Sequence, residues 1–279
     1  MPELPEVETI KTAIERSIGY CNIIKLIVNN NKLREKIPDE MSDIVEGQRI
    51  VSYQRRAKYI LLHLSNGYSI IWHLGMSGRV TIADTLPEIP GKHDHVIVQT
   101  ENGYLIYNDV RRFGVFTYVR TDELSHCRFF EKCGIEPFDS QLDGAYLHKR
   151  LQHKKTPVKI ALLDQSLIVG IGNIYASESL YLARILPTRP CDGLSLKDCN
   201  LIVKSVREVL EKAVAAGGST LKDYQKPDGS LGYFQNMHCV YNKTGQKCPH
   251  CQCDVNQTGG IRKIVQAGRS SFYCPVKQK

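Results

Sequence analysis

The chain begins Met1-Pro2-Glu3-Leu4-Pro5-Glu6-Val7-Glu8, and this stretch predicts a helix at the very start of the fold. Proline in a first turn has no N–H to lose, and nearby carboxylates complement the helix dipole. Apolar residues continue at helical spacing and predict one buried face, formed by Val7, Ile10, Ile14 and Ile18. Such a helix would hold the N-terminus still.

The same stretch has a possible chemical role. Removal of Met1 would leave Pro2 as a secondary amine, and an α-amine titrates near pH ~8, below a lysine amine, so part of it is nucleophilic at neutral pH. Attack of this amine on a sugar C1′ would give an iminium, which is an electron sink. Glu3 follows directly and could move protons at the same carbon. The alternative is that these residues only cap a helix.

Composition limits the class of protein. The chain has 279 residues, 42% of them hydrophobic, and a net charge of +8, which permits a polyanionic partner without showing one. Residues 243–279 contain seven Lys or Arg against Asp254 alone, which favours a phosphate-facing module. No apolar run approaches 18 residues and no signal peptide is evident, so we expect a cytoplasmic, nucleoid-associated protein. Six of the ten cysteines are scattered and suit buried sites, whereas four cluster near the end as metal candidates.

The first half of the chain predicts a β-sandwich or flattened barrel. Short β-branched runs predict strands, with Asn66-Gly67 and Asn102-Gly103 as hairpin turns between paired runs. The predicted strands span residues 22–29, 48–54, 59–64, 68–73, 96–100, 104–107 and 115–119.

From about Pro137 the pattern becomes helical. Thr156-Pro157 predicts a helix cap with a first-turn proline, Ser195 and Asp198 predict a capping box, and Gly217-Gly218 predicts a helix end. The segment 221–233 predicts a mobile loop. A glycine-rich turn, Val169-Gly170-Ile171-Gly172-Asn173, precedes a further helix, whose N-terminal N–H groups could hold a phosphate.

Two widely separated motifs resemble one family. The opening octapeptide and Gly170-Ile171-Gly172-Asn173-Ile174-Tyr175-Ala176-Ser177-Glu178 are similar to the start and the internal motif of the formamidopyrimidine-DNA glycosylases. The resemblance implies an α+β fold, with an N-terminal β-sandwich flanked by helices, a helix-two-turn-helix domain and a zinc-ribbon-like β-hairpin tail. The implied domains are residues 1–136, 137–240 and 241–279.

The resemblance also implies site residues. Pro2 would be the nucleophile, with Glu3, Lys58 and Arg269 as further catalytic residues. Residues implied to contact DNA are Met76, His93, Arg111, Phe113, Lys154, Lys159 and Asn173. Met76 would fill the gap left by an extruded nucleotide, Arg111 would face the orphaned base and Phe113 would wedge between base pairs. Val110 replaces the family's usual proline, and we expect a softer loop there.

The tail departs from the family pattern. The family's zinc ribbon has two Cys-x2-Cys pairs; here Cys248 and Cys251 form the first, but Lys277 occupies the position of the last cysteine after Cys274. Zinc prefers four ligands, and a protonated lysine is a poor one. Either Cys253 or His250 completes the site, or three ligands bind zinc weakly, or the hairpin folds without metal. The pair His93 and His95 could also bind a metal, although a third ligand is not evident nearby.

The resemblance implies a monomeric, bifunctional DNA glycosylase and AP lyase that removes oxidised purines, such as 8-oxoguanine and formamidopyrimidines, from damaged duplex DNA. Two alternatives stay open: an endonuclease VIII-like glycosylase for oxidised pyrimidines, and a non-catalytic DNA-lesion binder. The start at Leu4-Pro5-Glu6 favours the purine branch, and an intact Pro2, Glu3 and Lys58 argue against the silent binder.

Overall fold

The structure is a computed structural model that describes residues 1–220, 227, 229–230, 232–249, 251–252 and 254–279. Its contacts divide the chain into two compact units. The first comprises Met1–Glu131 with Ala213–Gln235, and the second comprises Lys132–Lys212 with Asn236–Lys279. The predicted loop at 221–233 lies largely outside the described residues. The domain division predicted from the sequence stays a prediction.

The first unit contains two four-stranded antiparallel sheets. Its helices are α1 (Leu4–Ile18) and α2 (Met41–Val45), and a 3₁₀ helix spans Thr121–His126. Its strands are β1 (Ile23–Val28), β2 (Ile50–Arg56), β3 (Tyr59–Leu64), β4 (Tyr68–His73), β5 (Arg79–Ala83), β6 (Asp94–Thr100), β7 (Gly103–Asn108) and β8 (Val115–Arg120). One sheet has the order β1-β6-β7-β5 and the other β2-β3-β4-β8. The predicted sandwich is therefore present.

Both predicted hairpins form, because β3 pairs with β4 and β6 pairs with β7. Gly67 and Gly103 take positive φ angles of 80° and 136° in these turns, which is the conformation that favours glycine. Strand β5 was missing from the prediction. It is only five residues long with one buried residue, so its alternation is too short to recognise.

Aromatic and aliphatic side chains from both sheets and α1 form the core of the first unit. Trp72 on β4 is fully buried and makes edge contacts with Tyr107 on β7 and Phe116 on β8, with ring centroids 5.3 and 5.2 Å apart. The predicted apolar face of α1 is buried at the same core. Burial of this helix fixes the position of the residues that precede it.

The second unit combines helices with a C-terminal hairpin. Its elements are α3 (Gly144–Leu151), α4 (Val158–Leu162), α5 (Asn173–Ala183), the greater part of α6 (Leu196–Ala215), α7 (Val255–Thr258), β9 (Arg262–Gln266) and β10 (Arg269–Tyr273). Short 3₁₀ helices span Cys191–Gly193 and Phe234–Met237, the latter beginning at the end of the first unit.

The predicted helix signals are confirmed with one exception. Ser195 and Asp198 exchange side-chain to backbone hydrogen bonds at the start of α6, and Gly217 and Gly218 end it with positive φ angles. Thr156, in contrast, is not the cap of α4. Pro157 takes that place because its extended ψ of 139° precedes the first helical residue. Within the described part of the chain, no helix has the length and apolar character required to span a membrane.

Candidate active site and nucleic-acid interface

The N-terminal turn is held by two acids. Glu3 is the N-cap of α1 and forms a capping box with Glu6, in which Glu6 Oε2 accepts the Glu3 N–H at 2.8 Å. The other carboxylate oxygen of Glu6 accepts the Ser219 N–H at 2.7 Å. Pro2, Glu3 and Glu6 are all buried, whereas Met1 is 42% exposed. The capping box and the bond to Ser219 therefore fix the turn that follows Pro2 and Glu3, while Met1 is exposed and accessible for removal.

Lys58 lies in the tight turn between β2 and β3. The preceding Ala57 has a φ of 53°, and Lys58 itself is only 7% exposed. Arg55 links this turn to α1, since its Nε donates to Glu8 at 2.8 Å and its Nη1 donates to the Ala57 carbonyl at 3.0 Å. The ion pair therefore ties the lysine turn to the helix that carries Pro2 and Glu3.

His73, at the end of β4, is close enough to Lys58 for the lysine charge to affect its pKa. Burial, together with the nearby positive charge of Lys58, lowers its pKa to about 4. Its Nδ1 accepts the Gly75 N–H at 3.0 Å, so a neutral ring carries its hydrogen on Nε2. His73 is consequently a neutral donor beside a cation at neutral pH.

Three predicted DNA-contact side chains project from two adjacent turns of the first unit. Met76 is 36% exposed and Phe113 is 44% exposed, and the Arg111 guanidinium stacks 4.6 Å from the centre of the Phe113 ring. The turns touch, because a Cβ on Gly75 would lie 2.5 Å from the Phe113 carbonyl carbon. Val110, which replaces the family's proline, is exposed at the tip.

His93 and His95 do not form a metal site with a third ligand among the described residues. Their ring centroids are 6.2 Å apart, and His95 Nε2 is hydrogen-bonded at 2.8 Å to the carbonyl of Asp109. His95 is buried, so His93 alone remains as the half-exposed ring that was predicted to contact DNA.

In the second unit, Lys159 is not on the surface. Its side chain is fully buried, and its Nζ donates to Asn173 Oδ1 and, at 3.3 Å, to the Ser270 carbonyl. Asn173 Nδ2 also donates to the Ser270 carbonyl at 2.9 Å and to Tyr241 Oη at 3.2 Å. The resemblance does not show that a hairpin covers this lysine, and its role in DNA binding stays a prediction. Lys154 is half-buried.

The glycine-rich turn before α5 has the predicted form. Gly170 has a φ of 82°, and Gln165 holds the turn through bonds to the Gly170 N–H at 2.8 Å and the Ile171 carbonyl at 2.9 Å. Asn173 begins α5 and is half-buried. The predicted binding of a phosphate at this end of α5 stays a prediction.

The C-terminal hairpin carries its charge at the tip. Ala267 and Gly268 form the turn with φ angles of 46° and 73°, and Arg269 follows, exposed, as the first residue of β10. Lys159 and Asn173 both donate to the carbonyl of the next residue, Ser270. The base of the tip is therefore tied to the start of α5.

Cys248, Cys251 and Cys274 are brought together in the second unit. All three sulfur atoms lie within 4.8 Å of one another, and Cys274 Sγ is 3.5 Å from Cys248 Sγ and 3.7 Å from Cys251 Sγ. A tetrahedral ion with bonds of about 2.3 Å needs ligand sulfurs about 3.7 Å apart, so three thiolates fit one metal ion. Lys277 takes no part, since its Nζ lies 4.2 Å from the centre of the Tyr181 ring. The other candidates, His250 and Cys253, lie outside the described residues.

Comparison with known proteins decides the family. Residues 1–116 match the model of the formamidopyrimidine-DNA glycosylase N-terminal domain, and residues 133–225 match that family's H2TH domain. A formamidopyrimidine-DNA glycosylase of Rhodospirillum rubrum is 41% identical over the full length of both chains. The chain belongs to the formamidopyrimidine-DNA glycosylase family. Membership makes it an enzyme, a DNA glycosylase of the repair type.

Solved structures of this family agree. A Lactococcus lactis Fpg mutant bound to DNA that contains Fapy-dG has a TM-score of 0.90 and 34% identity, with full coverage of both chains. The wild-type Lactococcus lactis enzyme bound to DNA with an oxidised pyrimidine has a TM-score of 0.89 at the same identity and coverage. The family relatives are thus proteins captured on damaged DNA.

Two polar residues beside the predicted site were missed by reasoning from the sequence. Glu6 was interpreted as a helix-dipole acid, although its position three residues after Glu3 is the capping-box spacing and could have indicated the reciprocal bond. His73 is simply the last residue of a predicted strand. No local signal shows its electrostatic interaction with Lys58, which depends on the pairing of β3 with β4.

Proposed function

We propose that this enzyme is a bifunctional glycosylase and AP lyase that excises oxidised purines from duplex DNA. The observation that carries the proposal is the N-terminal turn, where Glu6 bonds both the Glu3 N–H and the Ser219 N–H. A turn fixed in this way presents the amine of Pro2 and the carboxylate of Glu3 in one geometry. Such preorganisation is what a nucleophile and a proton-transfer group need.

The proposed reaction begins at C1′ of the damaged nucleotide. The lone pair of Pro2 nitrogen forms a bond to C1′, while the C1′–base bond breaks and the base leaves with a proton. Glu3 transfers protons to and from the opening sugar, giving an iminium between Pro2 and C1′. Loss of a C2′ proton then drives β-elimination of the 3′ phosphate, and a second elimination expels the 5′ phosphate. Hydrolysis of the iminium returns the amine.

Two basic residues support these steps in the proposal. Lys58 lies in a turn that Arg55 ties to α1, which suits a cation at the backbone of the damaged nucleotide. Arg269 is exposed at the hairpin tip and would bind the adjacent phosphates. We assign Lys58 and Arg269 to the elimination steps, where negative charge accumulates on the departing phosphates.

The nucleotide must leave the helix before reaction, which costs a few kcal/mol. Met76, Arg111 and Phe113 would occupy the vacated space, since all three project from touching turns. His93, Lys154 and Asn173 would bind phosphates. Lys159 would act through Asn173 because its ammonium is buried against that side chain.

Zinc is proposed for the cysteine cluster. Three thiolates at tetrahedral separations fit zinc, and a bound zinc ion would fix the base of the hairpin that carries Arg269. Cys248, Cys251 and Cys274 would hold it, with Cys253 or His250 as the remaining ligand. We also keep the monomeric state and the three-domain division as proposals.

Oxidised pyrimidines are a second candidate substrate, favoured by the Lactococcus lactis complex with that lesion. Borohydride trapping tests both, with duplexes that carry 8-oxoguanine, an oxidised pyrimidine or no lesion. We expect the fastest covalent trapping with 8-oxoguanine. Faster trapping with the oxidised pyrimidine would indicate a pyrimidine-directed glycosylase. Specific binding with no trapping on any duplex would indicate a non-catalytic lesion binder.

A further inference from the structure

Asp109 is a fully buried acid between the two turns that carry the exposed side chains Met76, Arg111 and Phe113. It lies just after β7, and Met76 follows β4 at the end of the other sheet. The predicted chemistry at Pro2 gives Asp109 no role. Burial of a carboxylate without hydrogen-bond partners is costly, so the partners of Asp109 indicate its role.

The carboxylate of Asp109 accepts four hydrogen bonds. Its Oδ1 accepts from Ser77 Oγ at 2.7 Å and the Arg111 N–H at 3.3 Å. Its Oδ2 accepts from the Gly114 N–H at 2.9 Å and Tyr107 Oη at 3.3 Å. Four donors match the acceptor capacity of one ionised carboxylate.

These bonds connect the two turns directly. Ser77 follows Met76, and its hydroxyl donates to Asp109 while it accepts the Arg111 N–H at 3.1 Å. Gly114 follows Phe113 and bonds the same carboxylate. Each of the three exposed side chains is therefore at, or next to, a residue that Asp109 or Ser77 holds.

The close packing of the turns supports this connection. A Cβ on Gly75 would lie 2.6 Å from the Gly114 nitrogen, and a Cβ on Gly114 would collide with the Tyr107 hydroxyl. The glycines thus allow the two turns to approach until one carboxylate serves both. Displacement of either turn breaks bonds made by the other.

We infer that Asp109 is a positioning residue, which with Ser77 couples the Met76 turn to the Arg111–Phe113 turn so that the three side chains enter the DNA as one unit. The inference rests on the proposed function, since it concerns the nucleotide that the glycosylase must extrude. In a coupled unit, the ordering of both turns is complete before DNA binds. Insertion of the three side chains together then offsets the free-energy cost of extruding the nucleotide.

Asp109→Asn tests the coupling with little change in volume. An amide has one acceptor oxygen, so its NH₂ must face either the Ser77–Arg111 pair of donors or the Tyr107–Gly114 pair. Ser77→Ala removes the hydroxyl that bridges the turns, and Ser77→Thr retains it. Asp122→Asn is a matched control, because Asp122 is exposed in the same unit and its side chain accepts hydrogen bonds from Arg120 at the surface.

The assay compares two duplexes with the same 8-oxoguanine strand, one with cytosine opposite the lesion and one with an abasic analogue there. The unpaired lesion needs less work to extrude and leaves no orphaned base. We expect Asp109→Asn and Ser77→Ala to lose about tenfold to a hundredfold in single-turnover excision of the paired lesion. The loss on the unpaired lesion should be less than about threefold, and Ser77→Thr and Asp122→Asn should match wild type.

Equal losses on the two duplexes would overturn the inference, because a merely structural role affects both. Wild-type activity on the paired lesion by both variants would overturn it as well. A wild-type protein that cleaves neither duplex contradicts the proposed function itself, and the inference falls with it. If Asp109→Asn fails to fold, the Ser77→Ala and Ser77→Thr pair gives the same comparison.

Discussion

Glu178 provides the most quantitative test of how the second unit is held together. This α5 carboxylate is 3% exposed and accepts three consecutive backbone N–H groups, from Cys239 at 2.7 Å, Val240 at 2.9 Å and Tyr241 at 2.8 Å. Burial raises its pKa despite these bonds, so desolvation offsets part of their benefit. Glu178→Ala would leave three donors without an acceptor, the Val240 N–H buried and the other two partly buried, at about 1–3 kcal/mol each before rehydration. We expect a net local loss of about 3–5 kcal/mol, and about 1–2 kcal/mol for Glu178→Gln.

Amide hydrogen exchange measured by mass spectrometry on the full-length protein is the appropriate assay. The peptide that covers residues 239–241 should exchange about a hundredfold faster or more in Glu178→Ala and less so in Glu178→Gln. Glu208→Ala serves as the control, because its ion pair with Lys212 is on the surface of α6 and contributes little. Exchange in Glu178→Ala within about threefold of wild type would show that Glu178 does not hold this segment, since 1.4 kcal/mol already corresponds to tenfold.

Three further outcomes are expected. Lys159→Met should weaken DNA binding without changing the slope of log affinity against log salt concentration. Arg269→Ala should reduce that slope by about one phosphate contact. A reduced slope in Lys159→Met would show instead that the Lys159 ammonium contacts DNA phosphate. Burial lowers the pKa of His73 and His238 to about 4, so both are neutral in the fold and protonate on unfolding below about pH 6.5. Stability should therefore be constant above that pH and fall by about 2 kcal/mol per histidine at pH 5, and NMR titration of either ring between pH 6 and 7 would contradict this. Purified protein should contain about one zinc equivalent that Cys274→Ser reduces, and metal-free wild-type protein with full DNA affinity would remove zinc from the account.

The elements of the fold were predictable where a short pattern is complete. The apolar face of α1, the Asn-Gly turns of β3–β4 and β6–β7, and the capping box of α6 all follow from residues within a few positions of each other. Strand β5 failed this condition because five residues with one buried side chain give no distinct period.

The site was predictable only as a set of residue types. Resemblance to a family indicated Pro2, Glu3 and Lys58, but not the hydrogen bond of Glu6 to Ser219. This contact joins residues 213 positions apart in sequence, and no local rule specifies it. The burial of Lys159 was equally unpredictable, since a lysine near a helix start is typically exposed but here a hairpin carbonyl covers it.

Mapping of the covalent adduct identifies the nucleophile. After borohydride trapping on an 8-oxoguanine duplex, proteolysis and mass spectrometry should find the sugar adduct on the N-terminal peptide, with Met1 absent and Pro2 modified. Pro2→Gly should lower the yield, and Lys58→Met should leave the adduct at position 2. An adduct on Lys58 or another lysine in the wild-type protein, with Pro2 unmodified, would contradict the account.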